Sequence, residues 1–425
     1  MKMKKIYFIV LDGAADRSNL ELDNKTPLET AKTPYMDELV KHGEMSMIQI
    51  LPEGYVPETD SGLMALLGYD PMKYYCGRGT LELIGRELYK NYKYYVGFRV
   101  NFASYNEEKA VLDRRTSRAL SKEELQILTD EIIGNIKLDC FPEVDYDLVS
   151  FGAHRGILSF YSDTMELSGN VSNTDPGFLK KGNFSIPVME YKNKIIPCVA
   201  LDDTKAARLT AEIVNDFIAQ CHSVLVKSKI NEKRMEVGLQ PCNWLIVRDG
   251  GSKAVPMPNF YEKFGKKMTI LGELPCEKAL AELIDAQFCY SQEFELQLDE
   301  EYLRELGKSI VKINTNIVFC HLKGPDEPGH DKKPHKKVEA IEKIDRYFIH
   351  EIVRGKTPED IVVVTCDHAT PCALGIHSND KVPLLISEEK GYYDESAHFD
   401  EVNGRLGKCP VKNAVDVMSY VMRRE

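Results

Sequence analysis

Along the chain, short apolar runs alternate with stretches whose apolar residues recur every three or four positions. Ile6–Leu11, Met45–Leu51, Met268–Leu271, Ile317–Leu322 and Ile361–Thr365 read as strands, the last being the cleanest β-branched run. Thr33–His42 reads as a helix, with Pro34 in its first turn and Gly43 as a stop signal. Asp60–Leu67, Thr80–Tyr89, Glu277–Asp285, Lys336–Val353 and Asn413–Arg424 carry the helical period. Such alternation predicts an α/β fold, a doubly wound, mainly parallel sheet covered on both faces.

The middle of the chain differs. Val96–Ser104, Ala110–Arg114 and Tyr146–Ser162 alternate as strands with one solvated face do, and a long helix follows at Asp203–Val226. The expected organisation is a discontinuous core, 1–91 and 243–425, interrupted by an inserted α+β domain at 92–242. The length of 425 residues suits two or three domains.

Composition narrows the partners. The net charge of -11 argues against nucleic acid and anionic membranes, which reward a Lys/Arg surplus. An anionic substrate must then meet a local basic pocket or metal ions. The opening apolar run is six residues long and ends at Asp12, so it reads as a buried strand and not as a signal peptide. No run approaches the roughly 18 apolar residues of a spanning helix. Eleven scattered Cys with no C-x-x-C pair point to a reduced, cytoplasmic protein. A homo-oligomer is compatible with all of this.

The chemistry gathers where strands end, because ligand sites of open α/β sheets lie beyond their carboxyl ends. Ile6–Leu11 runs into Asp12. Ile317–Leu322 is followed by Lys323, Asp326, His330 and Asp331, and Ile361–Thr365 by Asp367, His368 and, further on, His377. Mixed carboxylate and imidazole donors suit Mn²⁺, Zn²⁺, Fe or Mg²⁺, and this many serve two ions better than one. An Asp after a strand is commonly a turn residue, but Asp326, His330, Asp367, His368 and His377 together outweigh that reading.

Taken with VLDGAADR (10–17), KTPLETAKTPYMDELVKHG (25–43), ALLGYDPMKYYCGRGTLE (65–82), FRVNFAS (98–104), DRRTSR (113–118), SNTDP (172–176), KGPDEPGHD (323–331), VEAIEKID (338–345), VVTCDHATPC (363–372) and HSND (377–380), these residues give a resemblance. The chain resembles the archaeal-type cofactor-independent phosphoglycerate mutases of the alkaline phosphatase superfamily. The resemblance implies an alkaline-phosphatase-like core with an inserted substrate-binding domain that closes over the substrate and excludes water. It implies two divalent ions, Mn²⁺ first and Zn²⁺, Mg²⁺ or Fe as alternatives. Asp326, His330 and His377 would hold one, and Asp12, Asp367, His368 and the nucleophile the other. The nucleophile would be Thr59, at the place of the family's Ser, with Ser61 ranked below it. The reaction implied is the glycolytic interconversion of 3- and 2-phosphoglycerate, a small phosphorylated carboxylate.

A phosphate and a carboxylate both suit bidentate arginine. Arg99, Asn101, Arg114, Arg115, Asp175 and Arg248, with Lys278 and Lys323, are the candidate substrate residues. The family segment Ser-Asp-Thr-Ala-His reads Thr59-Asp60-Ser61-Gly62-Leu63 here. The absent His leaves His154 or His321 as replacements, with no spacing that singles out either. The departures at Thr59 and Leu63 keep a phosphatase, phosphonate hydrolase or phosphodiesterase as the alternative. A homoserine-kinase-like phosphotransferase is a further one, and a non-catalytic binding protein is disfavoured by the retained donors. Arg248–Lys253 lacks P-loop spacing. Glu282, Glu293 and Glu295 read as solvated faces, His42, His222 and His350 as ordinary helix residues, and Tyr89–Tyr95 as packing.

Overall fold

The run Ile6–Leu11 is buried along its whole length and forms the central strand of a seven-stranded sheet. The computed structural model describes residues 4–88, 92–151, 155–290 and 299–424. Across the sheet the order is Gln287–Tyr290, Met268–Gly272, Ile317–Leu322, Ile6–Leu11, Ile361–Thr365, Val382–Ser387 and Gly43–Ile48. The pairings are parallel as far as Ile361–Thr365 and antiparallel on both sides of Val382–Ser387. Ile6 lies beside Ile317 and Ile361, so three buried strands run in step and end together at Leu11, Leu322 and Thr365. That common end is where the predicted metal donors begin.

The chain divides into two compact units, Met1–Tyr74 with Pro256–Glu425, and Tyr75–Val255. The second is wider at both ends than the 92–242 stretch expected from sequence. The helix Arg78–Gly85 packs on its sheet, and the strand Trp244–Gly251 pairs with Tyr94–Asn106, so neither belongs with the seven-stranded sheet. This unit has a five-stranded antiparallel sheet built on Tyr94–Asn106. The helices Lys122–Asn135 and Lys205–Leu225 cover it, burying Leu128, Ile132, Ile213, Val214 and Phe217 against Phe98 and Phe160. Among the described residues no helix is long and apolar enough to cross a membrane.

The expected single helix Lys336–Val353 is three pieces: Pro334–Lys343, a π-helical turn Ile344–Ile349, and His350–Gly355. The wide turn contains Asp345, whose side chain is fully buried. Its carboxylate accepts the amides of Met36 at 2.7 Å and Tyr35 at 3.2 Å. Thr33, the N-cap of the helix Pro34–Val40, makes no side-chain cap bond, so Asp345 satisfies those first-turn amides from another helix. Burial raises Asp345 to about 7, with the two amides pulling it down and Asp37 pushing it up. A carboxyl raised above its unfolded value stabilises fully below about pH 4 and loses that stability as pH climbs through about 7, at up to about 1.4 kcal/mol per pH unit. The stability of Asp345→Asn relative to the parent is expected to rise between pH 5 and 8. Paired urea titrations across that range check it, and a pH-independent difference would refute it.

Candidate metal centre

Asp12 follows the central strand, and the turn after it requires Gly13. Gly13 has φ +58, and a Cβ there would lie 2.6 Å from both Asp326 Oδ1 and Thr370 Oγ1. The missing side chain lets three loops close on one point. Gly13 also donates its amide to Asp367 Oδ1 at 3.1 Å.

Two donor sets result. In the first, Asp326 lies 3.4 Å from His330 Nε2 and 3.4 Å from His377 Nε2, and the two imidazoles are 3.1 Å apart. In the second, His368 Nε2 lies 3.3 Å from Asp12 Oδ1 and 3.2 Å from Asp367 Oδ2. The sets adjoin, because the His368 ring stacks on His377 at 3.7 Å between centroids. The six Asp and His residues that the resemblance assigns to the two ions are thus gathered in the first unit, in segments that follow adjacent strands.

The electrostatics fit cations. Burial is the largest influence on Asp12 and would raise it, but Lys323, whose Nζ lies 2.5 Å from Asp12 Oδ2, acts with His321 and His368 to hold the carboxyl well below its usual range. Asp326 is likewise held low, with His330 and His377 overcoming burial. Asp12 Oδ1, Asp367 Oδ2 and His368 Nε2 are buried with no hydrogen-bond partner, although each faces the others. Leaving such atoms unsatisfied is costly. A divalent ion satisfies all of them at once, so these residues fit the implied metal.

Thr59 is the first residue of the helix Thr59–Leu66 and is buried. The helix is held at the centre from both sides. Pro57 O accepts from His377 Nδ1 at 3.2 Å, and a Cβ at Gly62 would lie 2.3 Å from Asp367 O. Only glycine allows that approach. Ser61 is engaged elsewhere: its hydroxyl accepts the Glu58 amide at 3.1 Å and donates to Glu58 O at 3.0 Å, closing a capping box. Leu63 is buried.

The candidate substrate residues are divided. Lys323 and the half-buried Lys278 belong to the first unit, while Arg99, Asn101, Arg114, Arg115, Asp175 and Arg248 belong to the second. Arg99 and Arg248 stand directly opposite one another on paired strands, an arrangement that is repulsive without an anion. Arg78, which sequence reasoning passed over inside the GRG segment, joins them. Its Nε is 3.0 Å from Glu82, which also lies 3.8 Å from Arg99, while Asp249 lies 3.9 Å from Arg99 and 3.1 Å from Arg248. Burial first, then Arg78 and Arg248, push Arg99 below its usual range. Arg114 is instead committed to Asp175 by two bonds of 2.5 and 2.7 Å. Arg115 is exposed, and Asn101 is half-buried.

Of the two possible replacements for the missing histidine, His154 lies outside the described residues, as do Tyr89, Glu293 and Glu295. His321 lies in the centre, its Nε2 3.5 Å from Asp367 Oδ2. Its location inside a strand gave the sequence no spacing to prefer it.

Residues 40–231 match the family model described as 2,3-bisphosphoglycerate-independent phosphoglycerate mutase. A protein of that name from Aeropyrum pernix is 33% identical over 411 residues, covering 95% of this chain and 96% of the relative. One from Thermococcus kodakarensis is 33% identical, covering 100% and 98%. The solved structure of the PH0037 protein from Pyrococcus horikoshii superimposes with a TM-score of 0.76 at 26% identity, covering 100% of this chain and 99% of its own. The cofactor-independent phosphoglycerate mutase of Thermoplasma acidophilum gives 0.61 at 26%, covering 99% of each.

Proposed function

Since the chain belongs to the 2,3-bisphosphoglycerate-independent phosphoglycerate mutase family, we propose that it interconverts 3-phosphoglycerate and 2-phosphoglycerate through a phosphothreonine at Thr59. The observation that carries this reading is the packing of the Thr59 helix onto Asp367 and His377, beside buried donors that have no partner of their own. Asp326, His330 and His377 would hold one divalent ion, and Asp12, Asp367 and His368 the other, with Mn²⁺ the first to test. Such a pair lowers the proton affinity of a hydroxyl and neutralises phosphoryl oxygens.

The chain's own residues supply the rest. The Thr59 hydroxyl gives up its proton as its oxygen bonds to phosphorus, the bond from phosphorus to the glycerate oxygen breaks, and that oxygen takes up a proton to leave as a hydroxyl. The glycerate turns, and its neighbouring hydroxyl takes the group back from Thr59. Lys323 keeps Asp12 ionised throughout. In the second unit, Arg78, Arg99 and Arg248 outnumber the carboxylates Glu82 and Asp249, and Arg248 Nε lacks a hydrogen-bond partner. This cluster suits a carboxylate or phosphate, and we assign it to the substrate. The Arg114–Asp175 pair orders its surroundings without a free fork.

Leu63 favours one second reading. A buried apolar residue where the family has His removes a proton-handling group, and a water attacking phosphothreonine would make the protein a phosphatase. Purified protein with Mn²⁺ and 3-phosphoglycerate separates the two. The mutase forms 2-phosphoglycerate without free phosphate, whereas phosphate alone would install the hydrolase. No turnover of any phosphate ester, with no metal bound, would refute the enzyme.

A further inference from the structure

Four histidines face the metal centre, and all four are held by the same ring nitrogen. His330 Nδ1 lies 3.0 Å from Gly375 O, His377 Nδ1 3.2 Å from Pro57 O, and His368 Nδ1 3.1 Å from Thr370 Oγ1. His321 Nδ1 meets Glu277 Oε1. Each therefore presents Nε2 to the interior. A histidine whose Nδ1–H is held by an acceptor, leaving a lone pair on Nε2, is in the state of a metal ligand. Three of these residues already belong to the two donor sets. His321 does not, yet it shares their arrangement.

Its surroundings add a second observation. His321 is almost fully buried, and its Nε2 has no hydrogen-bond partner. That atom lies 3.8 Å from Asp12 Oδ1 and 3.5 Å from Asp367 Oδ2, both equally unpartnered. Asp12, His321 and Asp367 thereby bring their donor atoms within 4.8 Å of one another. Lys323 takes the other oxygen of Asp12, Oδ2, and leaves Oδ1 aimed at the imidazole. We propose that His321 Nε2 is a further protein donor to the ion of Asp12, Asp367 and His368, and that Glu277 is the positioning residue that fixes its tautomer.

Glu277 is built for that task. Its Oε2 accepts the amides of Glu273 at 2.6 Å and Leu274 at 2.7 Å, which fixes the carboxylate and turns Oε1 toward His321. An ion bound by two carboxylates and two imidazoles has a mixed shell whose oxygens suit Mn²⁺ and whose nitrogens suit Zn²⁺.

The inference rests on the two-ion reading, so the test reads the ions directly, in full-length protein loaded with Co²⁺. Each ligating histidine with a protected Nδ1–H gives one hyperfine-shifted, solvent-exchangeable imidazole signal in the proton NMR spectrum. Four signals are expected from the parent and three from His321→Asn, with Co²⁺ titration giving one tight ion and one weakened about 100-fold or more. In Glu277→Gln, the amide oxygen can still accept the backbone amides while its NH₂ faces Nδ1 and drives the ring proton onto Nε2. There the second ion is expected to bind about 10–100-fold more weakly. Two ions bound with unchanged affinity in both variants, and three signals in the parent, would overturn the role of His321 and leave the two-ion reading standing. A parent that takes up no Co²⁺ would overturn both.

Discussion

Thr59→Ala is expected to lower turnover of 3-phosphoglycerate by about 10⁴-fold or more, while Thr59→Ser keeps most of it. Where the nucleophile forms a covalent intermediate, its loss removes the reaction path itself, and the remaining groups can only bind and polarise. The serine variant retains the hydroxyl at the head of the helix and sheds only a methyl group, which frees χ1. Ser61→Ala separates this from a general disturbance of the segment. Its hydroxyl is spent on the capping box with Glu58, so its removal costs about 1 kcal/mol of stability and leaves turnover nearly intact. Steady-state kinetics, with the intact mass of acid-quenched protein as a second readout, decide the matter. The parent and Thr59→Ser should carry the mass of one added phosphoryl group, and Thr59→Ala none. Full activity in Thr59→Ala would remove Thr59 as nucleophile.

Thr59 was legible as a candidate because it stands at a matched position in a segment whose neighbours match too. The strands Ile6–Leu11, Ile317–Leu322 and Ile361–Thr365 were equally legible, since each is short, apolar and followed by a polar turn. Val382–Ser387 was not read as a strand. Pro383 argues against a paired position, yet the strand sits between two others, with Pro383 O accepting from Thr365 Oγ1 at 2.9 Å. His321 was named only as one of two replacements and could not be singled out, for a related reason. Within an apolar strand one histidine looks like an accident of the core, and its partner Glu277 is 44 residues away. Arg78 lay inside a quoted motif but at the head of an apolar helix, and only the facing of Arg99 on Arg248 across two strands makes it part of a cation cluster. Such pairings depend on register, which local sequence does not specify. The donors after strand ends escaped this limit, because the carboxyl ends of adjacent parallel strands meet whatever the details of packing.

Lys337→Met is expected to destabilise the protein by about 3–5 kcal/mol, the usual cost of removing one partner of a buried ion pair. Lys337 is completely buried on the helix Pro334–Lys343. Its ammonium lies 2.9 Å from Asp16 Oδ2, 2.8 Å from Thr370 O and 3.2 Å from Ala15 O. Asp16 in turn accepts the Cys372 amide at 3.1 Å. One cation thus ties the turn after the first strand, which carries Asp12, to the loop after Ile361–Thr365, which carries Asp367 and His368. Methionine fills the volume but supplies no donor, so the Asp16 carboxylate is left buried without a countercharge and Thr370 O loses its lysine donor, while Ala15 O keeps the Thr370 amide at 3.1 Å. At about 2–4 °C per kcal/mol for a unit of this size, the melting temperature should fall by roughly 10 °C. Asp16→Asn in the same background should recover part of the loss, because it removes the stranded charge while keeping an acceptor for the Cys372 amide. Additive losses in the double variant would show that the two residues do not act as a pair. Since the cation holds in register two loops that carry proposed metal donors, Lys337→Met should also weaken the ion we place at Asp12 more than the one we place at Asp326, which a merely global loosening would not do.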